Sequence, residues 1–479
     1  MTVLLYLVGI LVVAAGVVLS IGLHEVGHLV PAKLFGVRVT QYMIGFGRTI
    51  FSRRRGETEY GLKMIPLGGY ISMVGMFPPA KRAETNGHSS APGTPRRDRL
   101  FAPTVGESVE GALHPSAAAD PSRARTATTG FFNTLVQDAR DSSQDQIQPG
   151  EDHRAFYRLA VWKRVVIMLG GPTVNLILGI LLTGIVLMGF GIAQPTTTVA
   201  SIAQCVLPQT ATRQTCAATD PASPAAAAGL LPADRVTAVN GRAVSSWTEV
   251  TAVIRRSAGV PITLSVVRDG SARTLAVTPQ PNTVAVLDAN GLPVKNGDGV
   301  VQTTTVGFIG VVAREAIVKQ PVTAVLPAVW NNVTAVGAVI INLPQRLVGV
   351  AQAAFGTGQR DPNGPISVVG VGRFAGQIAS DTDLTLTSKI ASLIGILGSL
   401  NIALFVFNLV PLLPLDGGHV IGALWEGLRR SVARIFRRRD PGPVDTAKLM
   451  PLTFAVSILL GGMSLLLIYA DIIRPVSLF

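Results

Sequence analysis

Four stretches of this chain run for 20 or more residues without a formal charge: Val3–Leu23, Val165–Ala193, Ile390–Leu415 and Pro451–Ala470. At about 1.5 Å per helical residue, each is long enough to cross a hydrocarbon core of roughly 30 Å. Backbone groups inside such a core must be satisfied within the segment, which selects helices. The expected class is therefore a mainly α-helical polytopic membrane protein with four principal transmembrane helices. Composition agrees, with 48% apolar and only 14% charged residues. The first stretch has no basic leader and no A-x-A cleavage site, so it reads as a retained span rather than a signal peptide.

Orientation follows from the basic residues. Seven lie between Lys33 and Lys63, and seven more (Arg429, Arg430, Arg434, Arg437, Arg438, Arg439 and Lys448) follow the third span. Segment 194–389 carries fewer, mixed with acids. This pattern predicts the N-terminus outside, segments 30–160 and 420–450 cytoplasmic, and 194–389 extracytoplasmic. The net charge of +13 is then a topology signal with added attraction to anionic lipid, and no nucleic acid is needed to explain it.

HEVGH, residues 24–28, sits at the end of the first span. Histidines four apart share a helix face, so both rings reach one metal ion, and the intervening Glu25 is placed to act as general base. Buried histidines that only stabilise a helix end are the bland alternative. The third span ends in NLVPLLPLDGGH, residues 408–419, whose prolines and glycines forbid a regular helix. Asp416 is the natural third metal ligand, on the face where His24 and His28 emerge. His419 competes for that role, and Asp416 also suits a helix cap.

HEVGH paired with N-x-x-P-x-x-P-L-D-G-G closely resembles the site-2 proteases, which are intramembrane zinc metalloproteases. IGFGRTIF (44–51) and EYGLKMIPLGGYISMVG (59–75) resemble that family's membrane-associated β-hairpin. LGGPTVN (169–175) and GPISVVG (364–370) resemble further family elements. The resemblance implies Zn2+ on His24, His28 and Asp416, with Glu25 activating water. It places Asn408 on the substrate backbone or the tetrahedral intermediate; a cap for the broken helix is the plainer role. Gly68, Gly69 and Tyr70 belong to a strand–turn–strand signal whose edge would hold an unwound substrate extended, or which only forms a lid. The implied substrate is a single-span membrane protein in the bacterial cytoplasmic membrane, with an anti-sigma factor as leading candidate and signal-peptide remnants as another. An inactive membrane scaffold and a transporter are the competing classes.

The segment 194–285 resembles the PDZ domains of bacterial envelope proteases, an inserted α/β module with Gly229, Asp234 and Gly241 at turns. It would bind a peptide or regulator, or act as a size filter. Cys205 and Cys216 are the only cysteines; a disulfide and a pair of free thiols both fit. Residues 320–345 also lack charge, but a polar or small stripe suits a helix lying at an interface. If it crossed, Asp416 would emerge on the wrong side.

The expected organisation is 1–34 first helix, 35–77 hairpin region, 78–158 insertion, 159–193 second helix and 194–285 PDZ domain. It continues with 286–388 amphipathic region, 389–419 third helix, 420–448 basic loop and 449–479 fourth helix. The insertion, rich in Pro, Ser, Thr, Ala and Arg, is expected to be mostly disordered. A short helix is expected at 131–139, with His88, His114 and His153 solvated.

Overall fold

The computed structural model describes residues 2–79, 147–205, 222–286, 300–356 and 364–476. It also describes the isolated positions Val136, Ser143, Cys216, Val294, Asn296, Arg360 and Asp361. His88, His114 and nearly all of the expected 131–139 helix lie outside the described residues. Two compact units form by packing. One joins Met1–His24, Pro172–Asn408 and Met463–Phe479; the other joins Glu25–Gly171 and Leu409–Gly462.

Helix α1 (Thr2–Leu34) carries the first uncharged run and continues unbroken through HEVGH. Strands β1 (Val39–Arg55) and β2 (Thr58–Met73) follow. Helix α2 (Val161–Gly184) is prolonged by a π-helical turn, Ile185–Phe190. Next come β3 (Ile192–Ile202), β4 (Arg235–Val239), β5 (Arg242–Ala243), α3 (Trp247–Arg256), β6 (Ile262–Arg268) and β7 (Ser271–Val277). Then follow β8 (Gln280–Ala285), β9 (Thr303–Phe308) and β10 (Val311–Val318). The rest is helical: α4 (Val325–Ile341), α5 (Leu343–Phe355), α6 (Val368–Ser380), α7 (Leu386–Asn408), α8 (Asp416–Ile435) and α9 (Met450–Ile473). Among the described residues five helices are long and apolar enough to cross a membrane. Four match the expected runs; the fifth is Val322–Ile341.

In the first unit, α1 and α7 pack side by side. A Cβ on Gly16 would strike Leu397, and Asn401 donates to Ser20 Oγ at 3.0 Å. Both pairs are 381 residues apart, so the two helices run parallel. Helix α2 runs antiparallel to α7, with Gly179 against Ile402 and Gly398 against Leu182. Segment 191–385 therefore leaves and returns on one side of this helix layer. Val325 and Val329 of α4 bury against Leu187 and Ile402. Val350 and Ala354 of α5 then pack on Leu467 and Ala470 of α9. The Asp471 carboxylate accepts from Arg360 Nη2 at 2.7 Å and from the Ser367 amide at 2.6 Å. GPISVVG thus docks the start of α6 to the end of α9.

The sheet in this unit has the order β10–β3–β4–β6–β7, with β5 on β4. Its core includes Val199, Leu230, Val236, Val250, Leu264, Val266 and Ile309. Strand β10 pairs with β3, and Ile309 belongs to this core. Non-local pairing of this kind leaves no mark on local sequence. Cys205 and Cys216 are joined by a disulfide. Gly229 and Gly241 both take positive φ in their turns. Asp234 is fully buried, accepts from the Leu231 amide at 2.8 Å and pairs with Arg268 at 2.6 Å.

In the second unit, β1 pairs with β2 twice: Ile44 faces both Leu62 and Gly69. Residues 69–73 thereby form an edge strand beside β1. Gly68 has φ 134°, and a Cβ there would run into Phe46. Residues 147–158, expected to be disordered with the insertion, are packed instead. Phe156 is buried with Leu29, Ile167 and Met168, Arg154 pairs with Glu57 at 2.6 Å, and Arg38 pairs with Glu151 at 2.6 Å. One buried aromatic ring and two ion pairs outweigh the polar composition of their surroundings. His153 is exposed, as expected.

Candidate metal centre

Helix α1 places His24 and His28 one turn apart, with Glu25 between them and 8% exposed. His28 is 4% exposed. Its Nδ1 lies 2.8 Å from the Ile167 carbonyl of α2, so it donates there and leaves Nε2 as the ligand atom. That Nε2 lies 3.3 Å from Asp416 Oδ2. Asp416 is the first residue of α8. Gly417 and Gly418 let α8 fold back on the turn before it, since a Cβ at either would overlap backbone of Leu409, Val410, Leu412 or Leu413.

One ligand atom each from His24, His28 and Asp416 lies within 4.8 Å of the others. Two neutral imidazoles and a carboxylate around one point are a zinc-type donor set, with a fourth position left open. His419 is one turn along α8, within electrostatic reach of Asp416 and His28; it is not part of this group of three.

Helix α2 backs both histidines. A Cβ on Gly27 would overlap the Gly170 carbonyl and the Gly171 Cα, so LGGPTVN brings α2 close against HEVGH. Asn175 is fully buried and lies 3.0 Å from His24 Nδ1. The nearer amide atom is Nδ2, and Oδ1 is buried without a hydrogen-bond partner among the described residues. With the amide turned over, Oδ1 accepts the Nδ1 proton and His24 Nε2 faces a metal. The sequence identified this motif but not this role.

Asn408 closes α7 and is half-buried, with no side-chain hydrogen bond among the described residues. Gly68 and Gly69 begin the edge strand. Tyr70 stacks on Phe46 at 6.4 Å and donates to Gln41 Oε1 at 3.3 Å.

Residues 12–438 match the family model "Peptidase family M50". The chain is 32% identical to zinc metalloprotease Rip1 of Mycobacterium tuberculosis (strain ATCC 25618 / H37Rv), covering 99% of this chain and 100% of that protein. It is 30% identical to zinc metalloprotease Rip1 of Mycolicibacterium smegmatis, covering 98% and 99%. With zinc metalloprotease RasP of Geobacillus kaustophilus it shares 26% over 85% of this chain and 86% of that protein. The buried His–His–Asp cluster and these full-length matches lead to one conclusion: the chain belongs to peptidase family M50, the site-2 proteases, and is a membrane-embedded zinc metalloprotease.

Proposed function

We propose that His24, His28 and Asp416 hold the Zn2+ and that Glu25 is the general base of peptide-bond hydrolysis. The observation that carries this reading is the convergence of three ligand atoms within 4.8 Å of one another, beside the buried Glu25 carboxylate. Zinc, when bound, supplies a Lewis acid that polarises a peptide carbonyl and makes water more acidic. Glu25 takes a proton from water and delivers it to the leaving amine. Asn408 offers an amide to the substrate backbone, and strand 69–73, with Gly68, Gly69 and Tyr70, pairs with an extended substrate segment. The double pairing of β1 with β2, which leaves residues 69–73 at an edge, supports this role for the hairpin.

The substrate is a single-span membrane protein, with an anti-sigma factor as leading candidate, cut within or near the bilayer in the second step of a cascade. Four helices span, with the N-terminus outside and the metal centre toward the cytoplasm. The parallel packing of α1 and α7 supports this count, because one further crossing by 322–341 between α2 and α7 would make α7 antiparallel to α1. The sheet module reads as an extracytoplasmic PDZ domain that filters substrates by size or binds a peptide. The test is cleavage of a single-span substrate in vesicles by wild type and Glu25→Gln, with zinc content measured on both. Equal cleavage would refute the assignment of Glu25; bound zinc without cleavage in either would favour a scaffold.

A further inference from the structure

A basic cleft of about 940 Å³ opens in the second unit. Arg158, Arg429, Arg430 and Lys448 line it, together with the Tyr157 ring, and Asp445 is the one carboxylate in its wall. None of these groups belongs to the metal centre. The volume lies in the range of small-molecule pockets, roughly 300–1,000 Å³.

The acids nearby are already engaged. Glu426 is 1% exposed and takes Arg164 at 2.5 Å and Arg430 at 3.1 Å. Its other oxygen accepts the Val444 amide at 3.0 Å. Asp440 accepts the Gly442 amide at 2.8 Å and lies 3.5 Å from Arg430. Among the described residues no carboxylate pairs with Arg158, Arg429 or Lys448. Three cations converging on one concave wall repel each other, and an anion that enters relieves that repulsion.

Position selects the anion. Lys448 comes two residues before α9, a helix long and apolar enough to span; a bilayer crossed by α9 would bring its headgroups to the cleft. We propose that this cleft binds the phosphodiester headgroup of an anionic phospholipid, with Arg429 and Lys448 as its principal contacts. Basic recesses beside spanning helices suit such headgroups, and arginine suits phosphate because its planar fork donates twice.

The test is native mass spectrometry of the full chain in non-ionic detergent with equal amounts of phosphatidylglycerol and phosphatidylcholine. Wild type is expected to retain phosphatidylglycerol at least about tenfold better, and Arg429→Gln with Lys448→Gln to lose roughly thirtyfold in affinity. Arg429→Lys with Lys448→Arg keeps binding within about threefold, which separates loss of charge from loss of fold. Equal retention of the two lipids, or unchanged retention in the glutamine variant, would overturn the proposal. Displacement by free glycerol phosphate, without preference for the lipid, would keep a phosphate site and overturn the lipid as its source.

Discussion

His28 Nε2 and Asp416 Oδ2 stand 3.3 Å apart although 388 residues separate them in the chain. The distance is short enough for one ion to bind both. Asp416→Asn replaces an anionic ligand by a neutral one and is expected to lower bound zinc well below one per chain, measured by metal analysis. Glu25→Gln, by contrast, keeps the three proposed ligands. It should retain zinc while cleavage falls roughly 10²- to 10⁴-fold.

Asn175 lies 3.0 Å from His24 Nδ1 and holds that ring in place. Asn175→Ala removes the partner of Nδ1 and is expected to weaken metal affinity roughly 10- to 100-fold, read by competition with a chelator. Unchanged affinity would show that the ring is held by packing alone.

Gly27 and Gly170 meet backbone to backbone. Gly170→Ala would push α2 away from α1, and with it the Ile167 carbonyl that sets the His28 ring. The expected result is reduced zinc content together with a lowered unfolding temperature. A variant as stable and as metal-loaded as wild type would contradict this packing.

Asp234 makes a pH-dependent clamp in the sheet module. The Arg268 guanidinium holds its carboxyl below the ordinary value of 3.8. The clamp's contribution is thus fully present above that value and is lost as pH falls through the lowered one. Hydrogen exchange in β4 and β6 should accelerate in that acid range. Asp234→Ala should remove the dependence and cost about 1–3 kcal/mol, because Arg268 and the Leu231 amide lose their partner.

Much of the centre was legible because its signals are local. HEVGH needs only the helical repeat to align two rings. The break before Asp416 needs only proline and glycine chemistry, and the uncharged runs need only length. Residues 147–158 misled, since composition says nothing of where Phe156 and Arg154 find partners. The strand β10 was missed for the same reason: its pairing with β3 spans more than a hundred residues.

The sequence by itself determined the spanning helices, the two histidines with their glutamate, and the family to which they belong. Each follows from neighbours within a few residues, where periodicity and side-chain chemistry act directly. Only the tertiary structure decided that α1 and α7 run parallel, that Asp416 meets His28, and that Asn175 and Ile167 orient the rings. Those relations depend on close glycine contacts between distant helices and on buried hydrogen bonds, which form only once the chain has packed.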